Sequence, residues 1–221
     1  MITVHHLEHS RSQRILWLLE ELRLPYEIKR YARNPKTMLA PPELRAVHPL
    51  GKSPVITHGN RVIAESAAIV EYLIEQTPES PLAPPTDVEG RLDYRYWMHY
   101  AEGSLMPILV MKLLFGAVPA KAPFFIKPIA KAIDKQVNAM YLTPTLNQHI
   151  AALAAALDGK EWLVDNRLTG VDIMMSFPAE AVCARGGKAV PAIIKQYVER
   201  LQARPAYHTA LERGGPYAVM G

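Results

Sequence analysis

Apolar and polar residues follow two different rhythms along this chain, and the change of rhythm divides it. Residues 2–7 (Ile-Thr-Val-His-His-Leu) are rich in β-branched and apolar types and end at the polar cluster Glu8-His9-Ser10-Arg11-Ser12, which predicts a strand running into the start of a helix. Beyond Ser12, Ile15, Leu18, Leu19 and Leu22 recur at i, i+3, i+4 and i+7, the apolar stripe of an amphipathic helix that stops before Pro25. Tyr26 to Tyr31 alternates again and predicts a half-buried second strand parallel to the first. A Pro-rich loop and a short helix near residues 42–47 follow. Residues 53–57 and 61–64 then flank His58-Gly59-Asn60, whose Gly and Asn favour a tight hairpin turn, and residues 65–74 open another helix with a hydroxyl near its start. The order βαβ then ββα suits a small mixed sheet covered by helices on both faces.

Residues 78–86 hold four prolines and no periodicity, which marks them as a linker. Past the linker, strand patterns disappear. Helical spacing is found at about 87–115, 130–157, 171–184, 190–203 and 205–213, an α-bundle. The fold class is therefore α/β plus all-α, with a first domain over 1–77, a linker over 78–86 and an all-helical domain over 87–221. Residues 115–128, with Pro119, Pro123, Pro128 and the run Phe124-Phe125-Ile126, break the first long helical pair. They read as a lid beside a pocket, a dimer contact or local packing. Thr169-Gly170-Val171-Asp172 ahead of an apolar run, with Leu168 before it, specifies a capping box with a hydrophobic staple and a central, buried helix.

With 49% hydrophobic and 21% charged residues in 221, the composition is that of an ordinary globular enzyme. No stretch of eighteen or more apolar residues is evident, and the first residues lack a secretory signal's basic and apolar regions. Cys183 is the single cysteine, so no internal disulfide forms, and a reducing cytoplasm is expected. The net charge of +4 is scattered among acids without basic runs, so no nucleic-acid partner is expected, and without a spanning stretch no membrane partner is expected either. The excess suits a small acidic ligand or is simply a mildly basic surface.

Chemistry concentrates at the first strand-to-helix junction, where helix amides and the helix dipole stabilise a thiolate. The window Ser10-Arg11-Ser12-Gln13 holds no Cys-x-x-Cys, which excludes disulfide exchange by the chain's own sulfur there. A serine at this place can still donate a hydrogen bond to a sulfur that a ligand brings. Cys183, near the end of its helix, reads as a core thiol. His5, His6 and His9 are close in sequence, but alternation sends His5 and His6 to opposite faces, so no metal site is expected.

Four pieces, taken in order, resemble the cytosolic glutathione S-transferase family over nearly the whole chain. They are Ser10-Arg11-Ser12-Gln13-Arg14, the stretch His48-Pro49-Leu50-Gly51-Lys52-Ser53-Pro54-Val55, the pair Glu65-Ser66 and the Thr169-to-Asp172 cap. The resemblance is to serine-type, theta-like or related bacterial and fungal classes, because His5-His6-Leu7 stands where an activating tyrosine would. It implies a thioredoxin-like glutathione-binding domain followed by a helical domain that holds an electrophile, in a cytoplasmic homodimer with a detoxifying role. The implied catalytic hydroxyl is Ser10, four residues before Arg14, with Ser12 as the alternative, either as activator or as helix cap. Implied glutathione contacts are Arg11, Lys52 at the glycyl carboxylate, the Ser53 main chain at a cis Pro54, Glu65 on the γ-glutamyl ammonium and Ser66 on its carboxylate. Lys52 is equally readable as a solvated surface lysine. The electrophile pocket is expected around Tyr100, Met106, Met111 and Phe115, within segments 100–111 and 115–125. Glutathione is a co-substrate, and no further cofactor or metal is expected. The implied activity is conjugation of the glutathione thiolate to small hydrophobic electrophiles. A glutathione-dependent peroxidase or isomerase, or a non-catalytic ligand-binding or assembly module, are the alternatives.

Overall fold

The computed structural model describes residues 1–77, 79–187, 190–215 and 217–219. Pro78, the first residue of the expected linker, lies outside them. β1 (Ile2–Leu7), α1 (Gln13–Leu22) and β2 (Tyr26–Tyr31) make the βαβ unit, with β1 parallel to β2 from Ile2↔Tyr26 to Leu7↔Tyr31. A short α2 (Glu43–Val47) leads to the hairpin β3 (Val55–His58) and β4 (Arg61–Ala64), turned at Gly59 with φ 58°. β3 lies antiparallel on β1, so the sheet order is β2-β1-β3-β4. α3 (Ser66–Glu75) completes this half. Strand alternation sorts the two faces: Ile2 and Val4 join α1 and α3 in the main core, whereas Leu7 packs with Tyr31 and with Leu44 of α2.

The second half is all-helical, as its periodicity requires. α4 (Val88–Tyr100), a π-helical turn at Ala101–Leu105 and α5 (Met106–Lys121) form one continuous run, and α6 (Lys127–Val137), a second π turn at Asn138–Leu142 and α7 (Thr143–Ala156) form another. α8 (Gly170–Arg185), α9 (Ala192–Gln202) and α10 (Pro205–Gly214) follow. Both π turns have the same cause in sequence. Each contains the residue four before a proline, Gly103 ahead of Pro107 and Met140 ahead of Pro144, whose carbonyl the proline cannot serve. Widening the turn re-registers the surrounding bonds without ending the helix.

Prolines also account for two corrections. Phe115 lies inside α5, which runs on through Pro119 to Lys121, so only residues 122–126 interrupt the pair. Pro119 removes the bond that residue 119 would donate to the Phe115 carbonyl, and the helix ends two residues later. Pro128, expected to break a helix, starts one instead: it sits in the first turn of α6, where no intrahelical partner needs its N–H. A third correction concerns the 34-residue run Val88–Lys121. One 18-residue window of it reaches a mean hydropathy of 1.6 with 28% of the window buried, so the chain does hold one helix long and apolar enough to cross a membrane by length and composition. Lys112 interrupts that stretch in sequence and conceals it.

α8 is the axis of the helical half, buried from Gly170 through Val182. Its start is the capping box that the sequence specifies: the Thr169 hydroxyl accepts from Val171 N–H, and Asp172 Oδ2 accepts from Thr169 N–H at 2.8 Å. Asp172 Oδ1 also accepts from the Tyr197 hydroxyl at 2.8 Å and from Leu163 N–H, which ties α9 and the loop after α7 to the same carboxylate. Burial nevertheless pushes the Asp172 carboxyl up to about 6, against these donors. Gly170 allows the close approach of α3 and α4, since a Cβ there would stand 2.4 Å from the Tyr94 hydroxyl and 2.7 Å from Ile74.

Thr169→Ala is expected to lower unfolding stability by about 1 to 2 kcal/mol through loss of the cap. Asp172→Ala is expected to cost roughly 3 kcal/mol or more, because four donors lose their acceptor. Urea unfolding followed by circular dichroism checks both, and equal small effects would contradict the shared role of Asp172.

Candidate active site

The carboxyl end of β1 is where the serines gather. Leu7 N–H donates to Ser53 Oγ at 3.4 Å, and the Leu7 carbonyl accepts from Ser12 Oγ at 3.3 Å, so one strand residue fixes both loops. Ser53 Oγ in turn donates to the His5 carbonyl at 2.9 Å. The Ser53–Pro54 peptide is cis, and the β1–β3 ladder ends at His5↔Val55, which leaves Ser53 just past the last paired residue. Ser12 occupies the capping position of α1 but is itself helical in conformation and makes no side-chain cap. Its hydroxyl is spent elsewhere: it meets Ser10 Oγ at 2.8 Å and His6 Nδ1 at 2.9 Å. Ser10 Oγ accepts the Ser12 N–H at 3.2 Å. The result is a buried chain of three groups, His6–Ser12–Ser10, at the mouth of the first helix. Burial, with the nearby Arg30 charge, pushes the His6 imidazole down to about 4, so it is neutral at pH 7.

In the first turn of α1, Arg14 is almost wholly enclosed and makes bonds to three other elements. It donates to the Met174 carbonyl on α8 at 2.6 Å, to Ser66 Oγ at the start of α3 at 2.9 Å, and to the Glu102 carboxylate in the first π turn. Arg11 reaches the other oxygen of Glu102 at 3.1 Å. Ser66 accepts from Arg14, which leaves the Ser66 hydroxyl proton for another acceptor. The residue before it, Glu65, is exposed and held at φ 70°, ψ 125°, a left-handed backbone that non-glycine residues rarely adopt and that tends to persist at binding sites.

Comparison with known proteins decides what this arrangement belongs to. Residues 10–76 match the model of the glutathione S-transferase N-terminal domain, and residues 105–205 match that of its C-terminal domain. The chain is 32% identical to glutathione S-transferase 1 of Saccharomyces cerevisiae, over 96% of this chain and 95% of that one. It is 33% identical to glutathione S-transferase 3 of Schizosaccharomyces pombe over 96% and 88%. The chain belongs to the glutathione S-transferase family. A crystal structure of a glutathione S-transferase from Actinobacillus pleuropneumoniae superposes with a TM-score of 0.82 at 33% identity, covering 97% of this chain and 93% of the other. A family structure from Methylobacillus flagellatus with glutathione bound shares the fold, with a TM-score of 0.72 at 18% identity over 95% and 98% of the two chains.

Within this glutathione S-transferase the expected residues fall into three groups. Ser10, Ser12, Ser53, Pro54 and Ser66 lie along the end of β1 and the starts of α1 and α3, and Arg11 joins them through Glu102. Lys52 and Glu65 are exposed at the rim. The expected electrophile pocket needs correction. Tyr100 and Met106 are buried in the core, and the Tyr100 hydroxyl bonds His149 Nδ1 at 2.6 Å, so these two side chains pack the bundle and do not wall an open pocket. Met111 and Phe115 are only partly buried, on the outer part of the same run. Phe177 of α8 is buried in the core like Tyr100, with the Arg11 guanidinium 5.4 Å from its ring centre and the partly buried Tyr217 beside it at 6.4 Å. Cys183 lines a separate cavity of about 630 Å³ with Glu180, Tyr207 and Tyr217, and burial pushes its thiol up, away from a reactive thiolate.

Sequence reasoning missed His6 and Glu102. Alternation does place His6 on the face opposite His5, whose ring bonds Tyr31 and Thr57, but it gives no partner. Glu102 is an ordinary-looking helical acid 88 residues from Arg14.

Two measurements follow. The His6 imidazole sits below its unfolded value of about 6.5, so between pH 7 and pH 5 the unfolded chain takes up a proton that the folded one refuses. Stability therefore falls as pH drops, by about 2 kcal/mol from this residue over that window, and His6→Asn removes the slope. Glu102→Gln is expected to cost roughly 3 kcal/mol in urea unfolding, because it leaves the buried Arg14 charge short of its carboxylate. A loss below about 0.5 kcal/mol would class the pair with surface ion pairs.

Proposed function

We propose that this glutathione transferase activates the glutathione sulfur with the Ser10 hydroxyl, backed by Ser12 and His6, and passes it to a small hydrophobic electrophile. The observation that carries the reading is the His6–Ser12–Ser10 chain at the start of α1. Ser12 Oγ already faces three partners, whereas Ser10 Oγ faces only Ser12, so Ser10 has capacity left for a ligand sulfur. Residues 1–77 are the glutathione-binding domain in this reading, residues 78–86 the linker, and residues 87–221 the domain that holds the electrophile.

Ionising the thiol is the energetic problem. A free thiol has a pKa of about 8.5, and bringing it to about 6.5 requires about 2.7 kcal/mol in favour of the thiolate. A hydrogen bond to a charged acceptor contributes about 1.5 to 3 kcal/mol and a helix N-terminus about 0.3 to 1, which suffices without a general base. The proton leaves to solvent. The sulfur lone pair then forms the thioether bond as the electrophile's leaving group departs with its electron pair.

Positioning falls to the remaining residues. Ser66 and the first amides of α3 take the γ-glutamyl carboxylate, and Arg14 leaves the Ser66 proton free to point at it. Glu65 takes the ammonium, the Ser53 main chain pairs with the cysteinyl unit, and Lys52 and Arg11 serve the peptide's other anionic end. The electrophile rests beside Arg11 and the partly buried Tyr217, with Met111 and Phe115 beyond. A homodimer is part of the reading, supported by exposed apolar side chains at Leu50, Val62, Leu92 and Tyr96, the last two one turn apart on α4. The single cysteine and the thiol chemistry fit a cytoplasmic, detoxifying role.

Ser10→Ala is expected to raise the apparent pKa of thioether formation with an aromatic halide by about 1 to 2 units and to lower turnover at pH 6.5 more than tenfold. Glutathione affinity by calorimetry changes little. Ser12→Ala should shift the profile less than Ser10→Ala, and the reverse ranking hands the sulfur to Ser12.

A further inference from the structure

The corner between α5 and α6 leaves large apolar side chains in water. Phe124 is 86% exposed and Phe125 67%, and Ile126, Ile129 and Ile133 of the following helix are exposed with them. Leu114 and Val118 on the last turns of α5 extend the same patch. α6 contributes little to the core, with Ala130 its buried residue, and the two sides of the helix differ in kind. Lys127, Lys131 and Lys135 recur at i, i+4 and i+8, while Ile129 and Ile133 form the apolar stripe beside them. Lys121 closes α5 on the other side of the Phe pair. From Gly103 to Leu157 the sequence has five lysines and one carboxylate, Asp134, and that carboxylate accepts from Asn138 Nδ2 at 2.8 Å. A strongly cationic field therefore surrounds an uncovered apolar surface.

From this juxtaposition we infer that the α5–α6 corner docks on the surface of an anionic lipid bilayer. Phe124, Phe125 and Ile126 enter the boundary between headgroups and acyl chains, and Lys121, Lys127, Lys131 and Lys135 meet the lipid phosphates and carboxylates. The charge selects this occupant. A two-fold contact with a second copy would set the lysines of one chain against those of the other with almost no acid to offset them. The projection of Phe124 points the same way, because a fluid interface accepts a protruding ring without a preformed pocket. Spanning is excluded by packing: Trp97, Met98, Leu105 and Leu109, in the same helical run, are built into the core. The bilayer therefore meets a surface and does not receive a segment. The expectation of no membrane partner, drawn from the lack of a spanning stretch, does not address docking on a surface.

The test is co-sedimentation of the full chain with vesicles of phosphatidylcholine containing about 30 mol% phosphatidylserine, compared with phosphatidylcholine alone. Binding to the anionic vesicles that weakens with added salt is expected. Lys127→Gln/Lys131→Gln/Lys135→Gln should lower the partition coefficient roughly a hundredfold, about fivefold per lysine, while the corresponding triple arginine variant retains it. Melting temperature and transferase turnover of these lysine variants stay at the native values. Phe124→Ser/Phe125→Ser should lower partition at least tenfold. Absence of co-sedimentation, or variants that partition like the native chain, overturns the proposal. It is equally overturned if the Phe pair changes the mass in solution by light scattering and leaves vesicle partition unaltered, since the corner is then an interface between protein chains.

Discussion

The two halves of this glutathione S-transferase meet around one buried guanidinium. Arg14 belongs to the first helix, yet its partners are a carbonyl on α8, a hydroxyl at the start of α3 and a carboxylate in the first π turn. A charge that deeply enclosed costs several kcal/mol unless it is paired and hydrogen-bonded, and both terminal nitrogens of Arg14 are answered although its Nε is not, so the elements that answer it are held in one arrangement. The planar fork of arginine suits this task, because its donors diverge in fixed directions toward three different elements. Ser10 is one helical turn away on the same chain segment, and Ser66 is a direct partner. In the proposed reading, the place of the sulfur and the place of its peptide's carboxylate are therefore fixed by the same side chain.

That constraint explains which parts of the molecule are legible in the sequence. Strands, hairpin and capping box follow local rules: alternation in residues 2–7, Gly59 in the turn, Thr169 answered by Asp172 three residues on. The serines are legible too, since a helix start after a strand end is a local event. Glu102 is not legible, because its meaning comes from an arginine in the other half of the chain. Nor is the destiny of an apolar helical residue. Tyr100 and Met106 have the composition of a pocket wall but lie in the core, and periodicity alone does not separate the two. Prolines mislead for a related reason. Pro128 and Pro107 follow the rule that a proline donates no hydrogen bond, and the helix absorbs each at a position where that bond is dispensable or can be re-registered.

The π turn connects these two observations. Pro107 obliges the helical run to loosen between Ala101 and Leu105, and Glu102, the carboxylate for Arg14, comes from that loosened segment. A substitution at Pro107 thus acts at a distance, on a salt bridge in which proline takes no part. Sequence, local backbone and site chemistry are linked here by a chain of three residues that no single periodic pattern contains.

The charge balance at the helix mouth bears directly on the sulfur. Burial keeps His6 neutral, so the group behind the serines adds no positive charge that would trap a proton there. Arg11 and Arg14 share the carboxylate of Glu102 beside the first residues of α1. An anion arriving in this place finds hydroxyl donors and a helix dipole, with the nearby carboxylate already claimed by two arginines. A tyrosine in place of His6 would supply a more acidic hydroxyl but would lose the partner that orients Ser12. The histidine and the two serines are therefore one hydrogen-bonded unit, and what that unit contributes in the proposed mechanism is direction for a proton donor with no charge of its own.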